Sequence, residues 1–114
     1  MKKLIISICC MIAFASCSTQ KDLYSWYDSE EATYNYTKRG TDELLVKAME
    51  QYEKVIAKQK GTRGVVPPGV NAEYGYLLFK AGKKEEGLSL LKAEIEAYPE
   101  SEKFISRIIN QLEK

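Results

Sequence analysis

Apolar residues recur along much of the chain at three- and four-residue intervals, the spacing of one face of an α-helix. The clearest stripe begins after Thr41, a suitable N-cap because its hydroxyl accepts backbone N–H groups, and charged residues occupy the opposite face. Similar stripes run from Lys84 to Tyr98 and from Ser101, the expected N-cap of the last helix, to Leu112. No segment alternates apolar and polar residues as a strand does. The predicted fold class is therefore all-α.

Two more helices are predicted from less regular patterns. The first covers Leu23–Tyr36, which is rich in aromatic residues, and it is broken by Gly40. The second runs from Asn71, its expected N-cap, to about Ala81 and is apolar nearly all round, which is typical of a buried helix. The adjacent prolines Pro67 and Pro68 exclude a helix from the intervening loop.

The second predicted hairpin resembles one tetratricopeptide unit, a pair of helices that stacks on its neighbours. Gly75 and Gly87 stand where the lack of a side chain lets two antiparallel helices approach closely. Glu94 departs from the pattern, which usually has a small residue there, and an ordinary helical hairpin is the alternative. Residues 46–56 resemble the second helix of a preceding unit. We therefore predict antiparallel helical hairpins, about two degenerate tetratricopeptide-like units, and a C-terminal helix.

The N-terminus has the pattern of a bacterial lipoprotein signal. After Met-Lys-Lys, the 12 residues Leu4–Ala15 carry no charge, which suits a signal-peptide core. A membrane-spanning helix needs about 20 apolar residues. Phe14–Cys17 resembles the lipobox, in which the final cysteine receives diacylglycerol. The prediction is a removed signal peptide over residues 1–16, a lipidated tether over 17–22 and one domain over 23–114.

Two alternatives to the lipidation of Cys17 remain. An ordinary signal peptide cut nearby would leave Cys17 a free thiol, and an uncleaved N-terminus would act as the anchor itself. Ser18 follows the cysteine where an enterobacterial inner-membrane signal has Asp, and residues 18–22 lack a dense acidic run. We therefore expect a cell-envelope location, at the outer membrane and facing the periplasm.

Composition excludes several kinds of chemistry. Removing Lys2 and Lys3 from the 17 basic residues leaves 15 against 16 acidic ones, a net charge of −1, which does not favour nucleic acid as a partner. The sequence has no His, the commonest general base and metal ligand. Once the signal peptide is removed, Cys17 is the only cysteine, so no disulfide can form. We predict no catalytic residue, metal or cofactor, and hence no enzyme.

The order of the motifs resembles a family of small, uncharacterised bacterial envelope lipoproteins, a domain-of-unknown-function family. The family's PPG stands at Pro67–Gly69, and its FPES-like end stands at Tyr98–Ser101 with Tyr for Phe. Asn71 and Glu73 occupy positions where members often carry His. The resemblance covers most of residues 23–112. Members are typically encoded beside a lipoprotein that resembles the curli secretion pore subunit, which implies an accessory role in an envelope assembly.

The candidate interaction residues are aromatic residues and the two loop prolines. They are Trp26, Tyr27, Tyr52, Pro67, Pro68, Tyr74 and Tyr76. Trp26 and Tyr27, with Tyr24, fit either a membrane-interface belt or core packing, and we favour the core. The proline loop fits a binding loop or a rigid connector equally well.

An incomplete repeat stack indicates the kind of work the domain does. Stacked repeats usually need about three units to be stable alone. Two and a half units suggest completion by a partner or by self-association. The predicted function is a lipid-anchored, non-catalytic interaction or scaffold module of a secretion-like envelope assembly, whose partner is another envelope protein such as the curli-pore-like lipoprotein. The alternative is a periplasmic binding lipoprotein for a peptide or a cell-wall ligand.

Overall fold

A computed structural model of the protein describes residue 2 and residues 20–114. The remainder of the predicted signal peptide and Cys17 lie outside the described residues. Residues 20–114 form five α-helices, one short 3-10 turn and no strand, so the all-α prediction is confirmed. The helices are α1 (Ser29–Arg39), α2 (Asp42–Ala57), α3 (Val70–Lys80), α4 (Lys84–Ala97) and α5 (Glu102–Leu112), with the 3-10 turn at Pro99–Ser101.

Consecutive helices pack against each other as hairpins. Short turns join α1 to α2 and α3 to α4, whereas residues 58–69 form a longer loop between the two hairpins. The N-terminal ends of α1, α3 and α5 therefore lie at one end of the molecule, together with this loop. The arrangement is compatible with two tetratricopeptide-like hairpins and a terminal helix. No helix in the described part of the chain is long and apolar enough to cross a membrane.

The α3–α4 hairpin is held at its crossing by the two predicted glycines. A Cβ atom on Gly75 would lie 2.6 Å from the carbonyl oxygen of Gly87, and one on Gly87 would lie 2.5 Å from that of Gly75. Neither position accepts a side chain without separating the helices. Gly82 lies in the connecting turn with φ +94°, a backbone conformation that glycine adopts readily. The predicted close approach of the two helices at Gly75 and Gly87 is confirmed.

The prediction of a first helix over Leu23–Tyr36 is wrong in its first half, because α1 begins only at Ser29. Ser25 cannot enter a helix, since its N–H donates to Gln59 Oε1 and its carbonyl accepts from Gln59 Nε2 at 3.1 Å. Tyr27 has φ 49°, which is left-handed and stops a right-handed helix from extending backwards. Leu23–Tyr27 is instead a non-helical segment packed on the long loop.

One predicted N-cap is correct and two are wrong. Thr41 Oγ1 accepts the N–H of Leu44 at 3.4 Å, as expected. Asn71 does not cap α3, because the helix already begins at Val70 and Asn71 is buried in its first turn. Ser101 precedes α5 but does not cap it, because its hydroxyl donates to the Tyr98 carbonyl at 2.7 Å.

Glu94 explains both the missing cap of α3 and the departure from the repeat pattern. Its side chain reaches from α4 to the start of α3, where Oε1 accepts the N–H of Gly69 at 2.7 Å. The residue is 2% exposed. A small residue at this position would leave the Gly69 N–H without this acceptor. The carboxylate therefore joins the two helices of the hairpin at their loop end.

The core runs through the middle helices and leaves part of α3 uncovered. Fully buried apolar side chains come from α2, α3, α4 and α5; they are Ala48, Tyr52, Val55, Val70, Leu78, Leu91 and Ile105. The expectation that α3 is buried all round is wrong at Tyr76, which is 42% exposed. Neighbouring helices cover only part of the α3 surface, and the uncovered part contributes to the candidate site.

Candidate functional site

Helices α1, α3 and α5 form the walls of an open groove of about 720 Å³, to which α2 adds one residue. Eight of its twelve lining residues are apolar or aromatic, so the groove suits an apolar group more than an ion. The lining residues are Thr33, Tyr36, Thr37, Tyr52, Ala72, Glu73, Tyr76, Leu77, Phe104, Ile108, Gln111 and Leu112.

Helix α5 supplies one apolar wall of the groove. Its apolar residues form a stripe wide enough to serve two surfaces at once. Ile105 is 2% exposed and lies in the core, whereas the adjacent Phe104 is 66% exposed and lines the groove. Ile108, one turn further along, also lines it. The groove thus exists because the stripe of α5 is broader than the surface that packs against its neighbours.

Tyr52 forms part of the groove lining from α2 and connects three helices. Its hydroxyl lies 2.8 Å from Thr33 Oγ1 on α1 and donates to the carboxylate of Glu73 on α3. Burial, followed by the hydrogen bond to Glu73, raises the pKa of the Tyr52 phenol well above its usual value. At neutral pH the phenol is therefore a protonated donor. Its ring also stacks on Tyr74, with the centroids 6.2 Å apart and the planes at 23°.

The groove continues into a smaller depression of about 420 Å³ toward the loop end of the molecule. Thr33, Tyr52 and Glu73 contribute to both, and Trp26 lines the smaller one. Trp26 is nevertheless 38% exposed and Tyr27 is 40% exposed. The expectation that these two residues pack in the core is therefore wrong. The segment that carries them lies on the loop rather than inside the hairpins.

Hydrogen bonds tie the proline loop to the C-terminal end of α4. Pro67 is buried, and the carbonyl of the preceding Val66 accepts the hydroxyl of Tyr98 at 2.5 Å. The N–H of Gly69 is bound by Glu94. Pro68 is exposed but does not line the groove. Burial, followed by hydrogen bonding to Tyr24, raises the pKa of Tyr98 to about 12, so the phenol is protonated at neutral pH.

The structure brings together only some of the predicted interaction residues. Tyr52 and Tyr76 line the groove, Tyr74 stacks beside it, and Trp26 stands at the end of the adjoining depression. Sequence reasoning missed Phe104, Ile108 and the polar members from α1. The width of the apolar stripe on α5 could have indicated them. A helix that packs against one neighbour needs a narrower apolar face than this one.

The described residues contain no group of three or more His, Cys, Asp or Glu that could hold a metal ion.

Comparison with known proteins gives one family. The family described as "Domain of unknown function (DUF4810)" matches residues 23–108 of the chain. No curated protein and no solved structure matches the chain. The expected resemblance to an uncharacterised family is thereby confirmed.

Proposed function

The chain belongs to the DUF4810 family, a premise that names no activity, and we propose from the groove and the N-terminal motif that it is a lipid-anchored, non-catalytic docking module of the bacterial cell envelope. In this proposal the α1–α3–α5 groove receives an apolar segment of another envelope protein. The two hairpins act as degenerate tetratricopeptide-like units that hold the walls of the groove in place.

The exposed aromatic lining of the groove is the observation that carries this proposal. Phe104 and Tyr76 are 66% and 42% exposed, although both belong to well-formed helices. Contiguous apolar surface of this kind on a small domain marks interaction sites, and aromatic residues supply a large share of binding energy at protein interfaces. An amphipathic helix or an extended apolar peptide would cover both rings at once.

The address of the module rests on the lipobox-like Phe14–Cys17. A single acyl chain gives only marginal membrane binding, whereas two or more hydrophobic chains anchor a protein stably. A diacylglycerol on Cys17 would supply two chains. We propose the periplasmic face of the outer membrane as the site, since Ser18 rather than Asp follows the cysteine.

Anchoring is tested with a Cys17→Ala variant in cells labelled with a radioactive fatty acid. Wild-type protein should carry the label and fractionate with membranes. The variant should lose the label and leave the membrane fraction, or accumulate as an unprocessed precursor without label. A variant that keeps both the label and the membrane association would refute the lipid anchor.

Partner docking is tested by site-specific photocrosslinking in cells. A photoreactive residue at position 76 or 104 should capture one dominant envelope protein, and the curli-pore-like lipoprotein expected from the family resemblance is the first candidate to probe. The same residue at position 46 is the matched control, because Val46 is 49% exposed and does not line the groove. Equal capture of the same protein from all three positions would contradict groove docking. Capture of a second copy of this chain would instead assign self-association.

The polar residues of the groove favour one alternative, the binding of a peptide or a cell-wall ligand. Thr37, Glu73 and Gln111 line it beside the apolar wall, and its volume lies in the range of small-molecule sites. Calorimetric titration of the purified protein with wall fragments and short peptides distinguishes the two functions. Saturable binding that is lost in Glu73→Gln but kept in a Glu50→Gln control would favour the ligand.

A further inference from the structure

The N-terminal segment exposes apolar side chains at the loop end of the molecule, outside the groove. Leu23 is 57% exposed, Trp26 38% and Tyr27 40%. Trp and Tyr combine an apolar ring with a polar edge, which is the chemistry of residues that lie at a membrane–water interface. We refer to Leu23, Trp26 and Tyr27 as the aromatic face.

Backbone hydrogen bonds hold this face in position. The N–H of Thr62 donates to the carbonyl of Asp22 at 3.0 Å, and the N–H of Arg63 donates to that of Leu23 at 3.2 Å. The Tyr27 hydroxyl donates to the carbonyl of Lys58. The aromatic face is therefore preorganised and does not have to be ordered when it meets a surface.

A close approach between the segment and the loop adds to this rigidity. A Cβ atom on Gly61 would lie 2.2 Å from the Leu23 carbonyl oxygen and 2.4 Å from the Tyr24 Cα. Both obstacles are backbone atoms that cannot rotate away. Only glycine at position 61 allows the loop and the N-terminal segment to lie this close.

Basic side chains accompany the aromatic face on the same loop. Lys58, Lys60 and Arg63 are exposed on the loop, and Lys21 is exposed on the segment. The loop over residues 58–69 contains no acidic residue, so its charge is entirely positive. The acidic residues around it are Asp22 and Asp28 on the segment and Glu30 and Glu31 in the first turn of α1. Basic residues beside an interface contribute about 1 kcal/mol each toward an anionic lipid surface.

We infer that the aromatic face rests on the lipid headgroup layer of the membrane that holds the anchor. This inference depends on the proposed lipidation of Cys17. Only five positions separate Cys17 from Asp22, where the hydrogen bonds to the loop begin. A fully extended chain of that length reaches roughly 17 Å, at about 3.4 Å per residue. The loop end of the domain is therefore confined next to the bilayer. Val65 and Phe104 are also exposed at that end, but the aromatic face lies on the segment that directly follows the tether.

The chain contains a single tryptophan, so Trp26 reports on this contact without labelling. The lipidated protein is reconstituted in vesicles of phosphatidylcholine with phosphatidylglycerol, and Trp26 emission is recorded with and without brominated lipids. The emission should shift to shorter wavelength on reconstitution and be quenched by lipids brominated high on the acyl chain. A double variant, Trp26→Phe with Val46→Trp, moves the tryptophan away from the loop end to α2. At a helix rise of 1.5 Å per residue, the new position lies about 20 Å farther along the molecule. This variant should show neither effect.

The charge contribution is measured with Lys60→Gln and Arg63→Gln. Each change should lower the ratio of membrane-inserted to solvent-exposed Trp26 roughly five-fold, the equivalent of about 1 kcal/mol. Lys92→Gln, on an exposed position of α4, is the control and should leave the ratio unchanged.

Flotation of the vesicles separates the inference from its premise. Protein that floats with vesicles while Trp26 emission stays unshifted and unquenched overturns the inference and leaves the lipid anchor intact. Equal quenching of Trp26 and of tryptophan at position 46 also overturns it, because the contact would then have no preferred face. If the purified protein carries no lipid and does not float with the vesicles, the proposed lipid anchor is refuted. The inference, which depends on that anchor, is then refuted as well.

Discussion

Replacing Gly87 with alanine tests the close crossing of α3 and α4. A Cβ atom there would lie 2.5 Å from the Gly75 carbonyl oxygen and 2.7 Å from the backbone nitrogen of Phe79. Non-bonded heavy atoms attract best at about 3.5–4.0 Å. Helices α3 and α4 must therefore move apart by roughly 1 Å, or bend, to accept a single methyl group. That movement loosens the packing around Leu78 and Leu91, which are buried on the same two helices.

Two opposing effects set the size of the loss. Forcing a methylene into a packed core typically costs about 1–3 kcal/mol, and the upper half of that range applies here because backbone atoms have no alternative rotamer. Alanine is favoured over glycine inside a helix by about 1 kcal/mol. The free energy of unfolding of Gly87→Ala should therefore fall by about 1–2 kcal/mol. For a domain of this size, each kcal/mol lowers Tm by about 4–8 °C.

Urea unfolding followed by far-UV circular dichroism measures this change, with Ser89→Ala as the matched control. Ser89 is exposed two residues further along α4, and its replacement should stabilise the protein slightly or leave it unchanged. One separation of the helices relieves both clashes, so Gly75→Ala and Gly87→Ala together should cost less than the sum of the two. A Gly87→Ala protein that is as stable as wild type would refute the close crossing.

Three further predictions concern the loop end and the buried phenols. Gly61→Ala should detach the N-terminal segment and make it the first site cut in limited proteolysis, with helix content unchanged. Glu94→Ala should lower the free energy of unfolding by about 1–3 kcal/mol because the Gly69 N–H loses its acceptor, whereas Glu94→Gln should cost less because an amide oxygen still accepts. Unfolded tyrosines ionise near pH 10, whereas Tyr52 and Tyr98 have raised pKa values in the fold, so stability should be full below about pH 10 and fall as pH rises toward 12 in urea titrations at each pH.

Local patterns were sufficient to predict α2 to α5 and the crossing of α3 and α4. The apolar stripe after Thr41 and the paired glycines Gly75 and Gly87 depend only on neighbouring residues and on sterics that hold in any helical hairpin. The tyrosine cluster also led to part of the groove, because Tyr52 and Tyr76 both line it. These features were predictable because each is encoded within a single helix or a single hairpin.

The features that were missed depend on contacts between distant parts of the chain. Ser25 is kept out of a helix by Gln59, which lies 34 positions away, and nothing near Ser25 indicates this. The N–H of Gly69 is bound by Glu94 rather than by a local cap. Phe104 lines a groove only because α1 and α3 form its other walls. A sequence pattern shows which face of a helix is apolar but not which other helix will cover it.

The two proposed surfaces meet at the same end of the molecule. Helices α1, α3 and α5 all begin at the loop end, so the groove between them runs away from the proposed membrane contact. Trp26 belongs both to the aromatic face and to the depression that continues into the groove. A partner held at the same membrane would therefore reach the groove from its membrane end, passing Trp26 before Tyr76. In this proposal the short tether would serve docking as well as membrane attachment, because it would hold the Trp26 end of the groove where membrane-bound partners are concentrated.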